Sequence, residues 1–337
     1  MAGSALSPTK GRCRRRGDEV PEKYLYKRCD SEDVPLMETP VIDLGLLLSS
    51  SSPSIRQEET DKLQSALSTW GCFQLINHGM TSSFLDETRE VATQFFGLPP
   101  AEKRRYSRTE FEGYGHDEKD NWNDRLQLTV YPQHRRQLQY WPENPQKFSE
   151  ILDKFGEMSV KIVEVLLKAM ATSLGLEENS FLSKYGEEGL MLARFNYYPK
   201  CPTPHQVLGL RPHSDGTAIT ILLQDKEVEG LQVKKDDQWF RVPVIPHALF
   251  INVGDLMEIM SNGIFKSAVH KVTTNSAKDR MSVAVLCICD PHKEVGPATE
   301  LITGGRPRRY KTVKDYGKLF FLLDPTGEIR PIDTVKI

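Results

Sequence analysis

The sequence predicts an α+β chain in which a mainly helical first half packs against a β-roll, and two observations predict it. Apolar residues recur at helical spacing up to about residue 174. After Gly189 the period shortens to strand-like runs rich in β-branched and aromatic residues, separated by turn signals. Strands that follow one another at even spacing without helices between them specify an antiparallel barrel or a two-sheet jelly roll. With 337 residues, the chain is long enough for one large domain or two ordinary ones.

Residues 1–39 are polar and punctuated by proline, and read as a flexible N-terminal segment. Its opening to Arg16 holds Ser and Arg without an acid, a faint likeness to a transit peptide. Asp18 and Glu19 end that likeness, so a frayed terminus is expected. The mixed, mainly helical region spans 40–188. It opens on the β-type run Pro40 to Leu44 and continues through a Ser-rich turn from Ser49 to Ser54. Leu63, Ala66, Leu67 and Trp70 then give an amphipathic helix over 56–70. Cys72 to Ile76 reads as a strand ending at Asn77-His78-Gly79. A second helix runs from about Ser83 to the stop at Pro99-Pro100, a loop is expected from Glu110 to Asp124, and a long helix from Phe148 to Leu174. The roll occupies 189–300, with strands at 191–198, 217–223, 231–233, 239–242, 248–253, 267–273 and 280–288, and a C-terminal segment covers 301–337.

Composition excludes several functions. Lys plus Arg number 44 against 46 for Asp plus Glu, so the net charge of -2 offers no field for nucleic acid or anionic lipid. The basic clusters Arg12 to Arg16 and Arg306 to Arg309 read as solvated surface. No apolar run approaches the ~20 residues that span a bilayer, so no membrane partner is expected. The six cysteines have no zinc-type spacing, and reduced thiols in a cytoplasmic protein are expected. Cys287 and Cys289, two apart in a strand-like run, should point to one face as small core residues.

A strand can present two metal ligands at i and i+2, so His-x-Asp or His-x-Glu is the pattern to seek. With 8 histidines and 46 acids, chance supplies about one match, and three occur: His116/Glu118, His213/Asp215 and His292/Glu294. The first lies in the charged loop and the third follows the last strong strand. His213-Ser214-Asp215-Gly216 instead directly precedes a strand, at the mouth of the roll, where such folds hold pockets. His270, inside Ser-Ala-Val-His-Lys-Val-Thr, supplies a third ligand from the same roll. Two histidines and one carboxylate leave coordination positions open, the arrangement of non-haem iron(II) oxygenases. Arg280-Met281-Ser282 places a guanidinium and a hydroxyl on one strand face. An Arg buried there requires an anion, either an internal partner or a carboxylate-bearing cosubstrate.

At this point the chain resembles the plant iron(II)- and 2-oxoglutarate-dependent dioxygenases, and within them the codeine O-demethylase-like and senescence-related-gene-like group. The matching stretches are Pro-Val-Ile-Asp-Leu at 40–44, Trp-Gly-Cys-Phe-Gln-Leu-Ile-Asn-His-Gly at 70–79, Arg-Phe-Asn-Tyr-Tyr-Pro at 194–199, His-Ser-Asp-Gly at 213–216, Asn-Val-Gly-Asp at 252–255 and Arg-Met-Ser at 280–282. The resemblance implies a double-stranded β-helix, the cupin-like jelly roll. It implies iron on His213, Asp215 and His270, with Arg280 and Ser282 on the distal carboxylate of 2-oxoglutarate and Asn196 and Tyr198 beside it. His78 is implied to be structural. The implied reaction is hydroxylation or O-demethylation of a small aromatic or polycyclic plant metabolite with O2, releasing succinate and CO2, with ascorbate supporting activity and a monomer favoured.

Two other functions fit the same residues less fully: an iron oxidase resembling 1-aminocyclopropane-1-carboxylate oxidase that does without 2-oxoglutarate, and a silent roll that binds a small ligand. Relatives carry more residues between Gly-Tyr-Gly at 113–115 and Trp122, so the loop over the pocket is shortened here. Arg125, Gln127, Leu286 and Ile288 are the candidate substrate-lining residues, with core packing the alternative for the two aliphatics.

Overall fold

The computed structural model describes residues 20–26, 33–48, 52–109, 111–116, 121–323 and 330–337. Arg12 to Arg16, Cys13, Cys29, Glu118 and the serines at 49–51 lie outside them, as do four residues of the shortened loop, 117–120. In chain order come β1 (Val41–Asp43), the single turn α1 (Leu44–Leu47), α2 (Pro53–Thr69), β2 (Cys72–Ile76), α3 (Ser82–Gly97) and α4 (Pro100–Arg104). The hairpin β3 (Gly113–His116) and β4 (Asp124–Tyr131) precedes α5 (Phe148–Ser173) and α6 (Ser180–Tyr185). The roll follows as β5 (Leu190–Tyr198), β6 (Leu208–His213), β7 (Ile219–Leu223), β8 (Leu231–Lys235), β9 (Gln238–Arg241) and β10 (Leu249–Val253), then α7 (Asp255–Met260), β11 (His270–Thr273) and β12 (Arg280–Ile288). A small ladder of β13 (Glu294–Val295) and β14 (Val313–Lys314) leads to α8 (Tyr316–Leu323).

The strands form a major sheet in the order β1-β2-β10-β7-β12-β5-β4-β3 and a minor sheet in the order β6-β11-β8-β9. Side chains alternate across a strand, and the burial of β12 on both faces shows what each face does. Val283, Val285 and Cys287 join Phe195, Ile219, Ile221 and Leu126 in one apolar core with α2, α3 and α5. The opposite face, carrying Arg280, Ser282, Ala284 and Leu286, turns towards the minor sheet and lines the cleft between the two. Each fully buried Phe or Val of the helical side stabilises by about 1.5–3 kcal/mol, so the helices fix the major sheet while its other face stays free for polar residues.

The observed elements correct one expectation and extend another. β1 and β2, expected as strands, and β3 and β4, which were not, all join the major sheet from the first half of the chain. The segment expected as a loop over 110–124 holds β3, which pairs with β4 from Gly113↔Gln127 to His116↔Asp124. Two glycines in four residues hide the strand from any propensity reading, and pairing with β4 supplies what propensity does not. β6 went unread because Gly209 and Pro212 interrupt it. It borders only β11 in the minor sheet, and an edge strand accommodates proline.

Candidate metal centre and cosubstrate cleft

The two imidazoles come from the minor sheet. His213 ends β6, His270 begins β11, and the antiparallel pairing sets them opposite one another with ring centroids 4.3 Å apart. Asp215 lies beyond the end of β6, in the turn to β7, so the pair does not share a strand face as the i, i+2 argument supposed. The turn nonetheless returns the carboxylate to the imidazoles. Oδ1 of Asp215 lies 3.7 Å from His213 Nε2 and 3.8 Å from His270 Nε2. The three ligand atoms lie within 4.8 Å of one another, the one such group among the described residues.

The remaining polar atoms of these residues are already engaged, which aims the free ones inward. His213 Nδ1 donates to the carbonyl of Arg211 at 2.8 Å and His270 Nδ1 to that of Ala268 at 3.0 Å. A carbonyl can only accept, so Nδ1 carries the proton and Nε2 offers its lone pair. Asp215 Oδ2 accepts from Thr220 Oγ1 at 2.7 Å and Asn252 Nδ2 at 2.8 Å, leaving Oδ1 to face the imidazoles. Burial, aided by the neighbouring His270, lowers His213 to about 4 and keeps it neutral. Burial works to raise Asp215, but His270 and His213 with the donors of Asn252 and Thr220 outweigh it and bring the carboxyl to about 2. A neutral imidazole and an ionised carboxylate are the forms that bind metal.

Arg280 sits opposite Tyr198, and Ser282 opposite Asn196, in the β12–β5 ladder. All four side chains line the cleft between the sheets, a cavity of about 50 Å³ shared with His213 and Asp215. Arg280 is 2% exposed. Its Nε donates to the carbonyl of Val228 at 3.2 Å, and its guanidinium carbon lies 5.3 Å from the centre of the Tyr198 ring. Among the described residues Nη1 and Nη2 meet no acceptor in hydrogen-bond geometry. Burial lowers the Arg280 pKa, with Tyr198 and Asp225 opposing. A buried cation with unmet N–H groups costs free energy unless an anion joins it, and a planar fork suits a carboxylate. The residues therefore fit both groups: one cation among three converging ligand atoms, and a carboxylate on Arg280.

A larger cavity of about 460 Å³ continues along the same face. Arg194 and Leu286 line the inner cleft, and Leu192 and Ile288, the next outward positions on their strands, line this outer chamber with Phe111 and Gly317. One pleat of about 7 Å separates such neighbours. Of the four substrate-lining candidates, Leu286 and Ile288 thus face the two cavities. Gln127 is occupied elsewhere, accepting from Arg194 Nε at 2.8 Å and donating to the carbonyl of Phe111 at 2.8 Å. Arg125, opposite Asn196 in the β4–β5 ladder, lines neither cavity. His78 lines neither cavity; its Nε2 donates to His247 O at 2.9 Å. His116 faces Asp124 at 2.9 Å across the β3–β4 hairpin, and His292 is exposed. Sequence reading missed Thr220, although its alternation with Leu222 marks it as facing the cleft, and it missed the contribution of the C-terminal segment.

Comparison with known proteins places this geometry. Residues 189–288 match the model of the 2OG-Fe(II) oxygenase superfamily, and residues 39–145 that of the non-haem dioxygenase in morphine synthesis N-terminal region. Protein SRG1 of Arabidopsis thaliana is 36% identical, over 90% of this chain and 88% of its own. Codeine O-demethylase of Papaver somniferum is 39% identical over 81% of this chain and 78% of its own. The crystal structure of JOX2 in complex with 2OG, Fe and JA superimposes with a TM-score of 0.89 at 31% identity, covering 99% of this chain and 98% of that one. The chain belongs to the 2OG-Fe(II) oxygenase superfamily and is an iron(II)- and 2-oxoglutarate-dependent dioxygenase.

Proposed function

We propose that His213, Asp215 and His270 hold the iron, and that Arg280 and Ser282 take the distal carboxylate of 2-oxoglutarate with Asn196 and Tyr198 at its flank. The observation that carries this reading is the convergence of three unspent ligand atoms beside a buried guanidinium whose Nη atoms lack acceptors. Iron(II) with 2-oxoglutarate, when bound, supplies the power to activate O2 against a substrate C–H bond, releasing succinate and CO2, and ascorbate supports it by keeping the iron reduced.

The chain's share is placement. Thr220 and Asn252 hold the Asp215 carboxylate, the carbonyls of Arg211 and Ala268 hold the imidazoles, and β5 and β12 form one wall of the cleft. The outer chamber, at about 460 Å³, falls in the range that takes a small-molecule ligand. Its apolar walls of Phe111, Leu190, Leu192, Ile288 and Pro291 suit an aromatic or polycyclic plant metabolite. Relatives named codeine O-demethylase and oxoglutarate-dependent flavonoid 7-O-demethylase 1 act on such rings. Hydroxylation of a methoxy carbon gives a hemiacetal that divides into phenol and formaldehyde, so one site serves hydroxylation and O-demethylation alike. We place the enzyme in the cytoplasm as a monomer: Cys72, Cys201, Cys287 and Cys289 are free and buried, and every group of the site comes from one chain.

His213→Ala or Asp215→Ala is expected to abolish succinate release and product formation with plant phenolic extracts. Wild-type turnover in either variant would end the ligand assignment.

A further inference from the structure

α8 stands between the chamber and the metal-binding turn. On one side, Gly317 and Lys318 line the outer chamber together with Asp315 just before the helix. On the other side, the Phe320 ring rests on Gly216, where a Cβ would come within 2.6 Å of the ring. The Tyr316 hydroxyl donates to Asp255 Oδ2 at 2.9 Å.

Asp255 is a fully buried carboxylate at the start of α7. Ser267 Oγ donates to its Oδ1 at 2.6 Å. Arg330 brings Nη2 to 3.5 Å from the same oxygen and Nε to 3.4 Å from Ser214 Oγ. The Asp255 backbone N–H donates to the carbonyl of Asp215 at 2.8 Å, and that of Leu256 to Thr217 at 3.1 Å. Gly254 makes this approach feasible, since a Cβ there would lie 2.5 Å from the carbonyl oxygens of Asp215 and Thr217. Asp255 therefore joins three parts: its backbone N–H holds the carbonyl of Asp215, and its carboxylate takes Tyr316 of the helix that walls the chamber and Arg330, which reaches Ser214 between the two proposed ligands.

We propose that Asp255, Tyr316 and Arg330 are positioning residues that lock α8 to the turn bearing His213 and Asp215, so that filling the chamber sets the metal ligands. The proposal rests on the reading of those residues as iron ligands. Moving α8 alone would take the Tyr316 hydroxyl from a buried carboxylate, which costs more than moving helix and turn together. Coupling of this kind is reciprocal: occupancy of the metal site must in turn hold α8.

The reciprocal direction gives a test that needs neither substrate nor turnover. Purified protein is titrated anaerobically with Co(II) in the presence of 2-oxoglutarate, followed by the cobalt absorption bands and by hydrogen exchange of α8. In the wild type, saturation with Co(II) is expected to slow exchange of α8 about tenfold, the worth of one hydrogen bond to a charged group. Tyr316→Phe and Arg330→Lys should each weaken Co(II) binding about tenfold and lose that slowing, while a merely structural role would lower the melting temperature and leave the slowing intact. Cobalt bands that persist in His213→Ala would overturn the ligand reading itself. Bands lost in that variant, with α8 exchange in the wild type indifferent to Co(II), would overturn the lock alone. This wild-type comparison decides the matter even if a variant fails to fold.

Discussion

Arg280, proposed to hold the cosubstrate carboxylate, is the residue whose cost to the fold and use to the chemistry can be separated. It is buried, its Nε reaches Val228 O, and its Nη atoms meet no acceptor in hydrogen-bond geometry among the described residues. Removing it should then separate stability from function. Arg280→Met in the ligand-free enzyme is expected to be no less stable than wild type, because a buried charge short of partners gives way to an apolar chain of similar length. The same variant should bind 2-oxoglutarate at least about 30-fold more weakly, as expected when one partner of a buried charge pair is truncated, while Co(II) still binds. Chemical denaturation and a 2-oxoglutarate titration check the two halves. A variant that is less stable but binds 2-oxoglutarate normally would show Arg280 to be a structural ion only. The residue was legible in the sequence because Arg and Ser at i and i+2 in an apolar strand share a face. His213 and Asp215 were legible by the same spacing, although the structure brings them together through a turn.

Elements join where the sequence permits close approach. Gly156 lies inside α5, where glycine costs about 1 kcal/mol against alanine, and a Cβ there would lie 3.1 Å from Val130 Cβ on β4. The helix keeps the glycine to rest directly on the sheet. Gly156→Val is expected to cost about 1–3 kcal/mol by overpacking, read by chemical denaturation; unchanged stability would mean that the two elements are not in register contact. A second joint is His78, whose Nε2 donates to His247 O while its Nδ1 accepts from Met80 N–H at 3.3 Å. Burial holds it below its ordinary value of 6.5, so the unfolded chain takes up the extra proton. Its contribution to stability is level above about pH 6.5 and falls as the pH drops below that, by at most about 1.4 kcal/mol per unit. His78→Gln should flatten this decline of melting temperature between pH 6.5 and 5, and parallel curves would exclude His78 as its source. Helices and roll strands were legible because their periods are 3.6 and 2. The hairpin of β3 and the edge strand β6 were not, because Gly113, Gly115, Gly209 and Pro212 carry no period. Their pairing is decided by partners distant in the chain.

On the scale of the molecule, the face of β5 and β12 is read in order from one end to the other. Arg280 and Tyr198 stand at the end proposed for the cosubstrate, Leu286 beside Thr220 marks the level of the Asp215 carboxylate, and Ile288 with Leu190 opens into the chamber. The far wall of that chamber comes from the C-terminal segment, which no periodicity in the sequence attached to the roll. Asp255, Tyr316 and Arg330 meet only through the tertiary fold. Within that wall Gly317 leaves space: a Cβ there would touch only Ile288 Cγ2 at 3.6 Å and Asp315 Oδ1 at 4.0 Å. A larger side chain would grow into the chamber without displacing backbone. Gly317→Leu is therefore expected to raise KM at least tenfold for a polycyclic methoxylated substrate, since the added side chain occupies the volume its rings need. A compact phenolic substrate should be affected far less. The affinity for 2-oxoglutarate should stay at the wild-type value, because the site proposed for that anion lies at the opposite end of the face. A variant that loses affinity for 2-oxoglutarate, or that treats large and small substrates alike, would show that the cavity beside Ile288 does not receive the substrate.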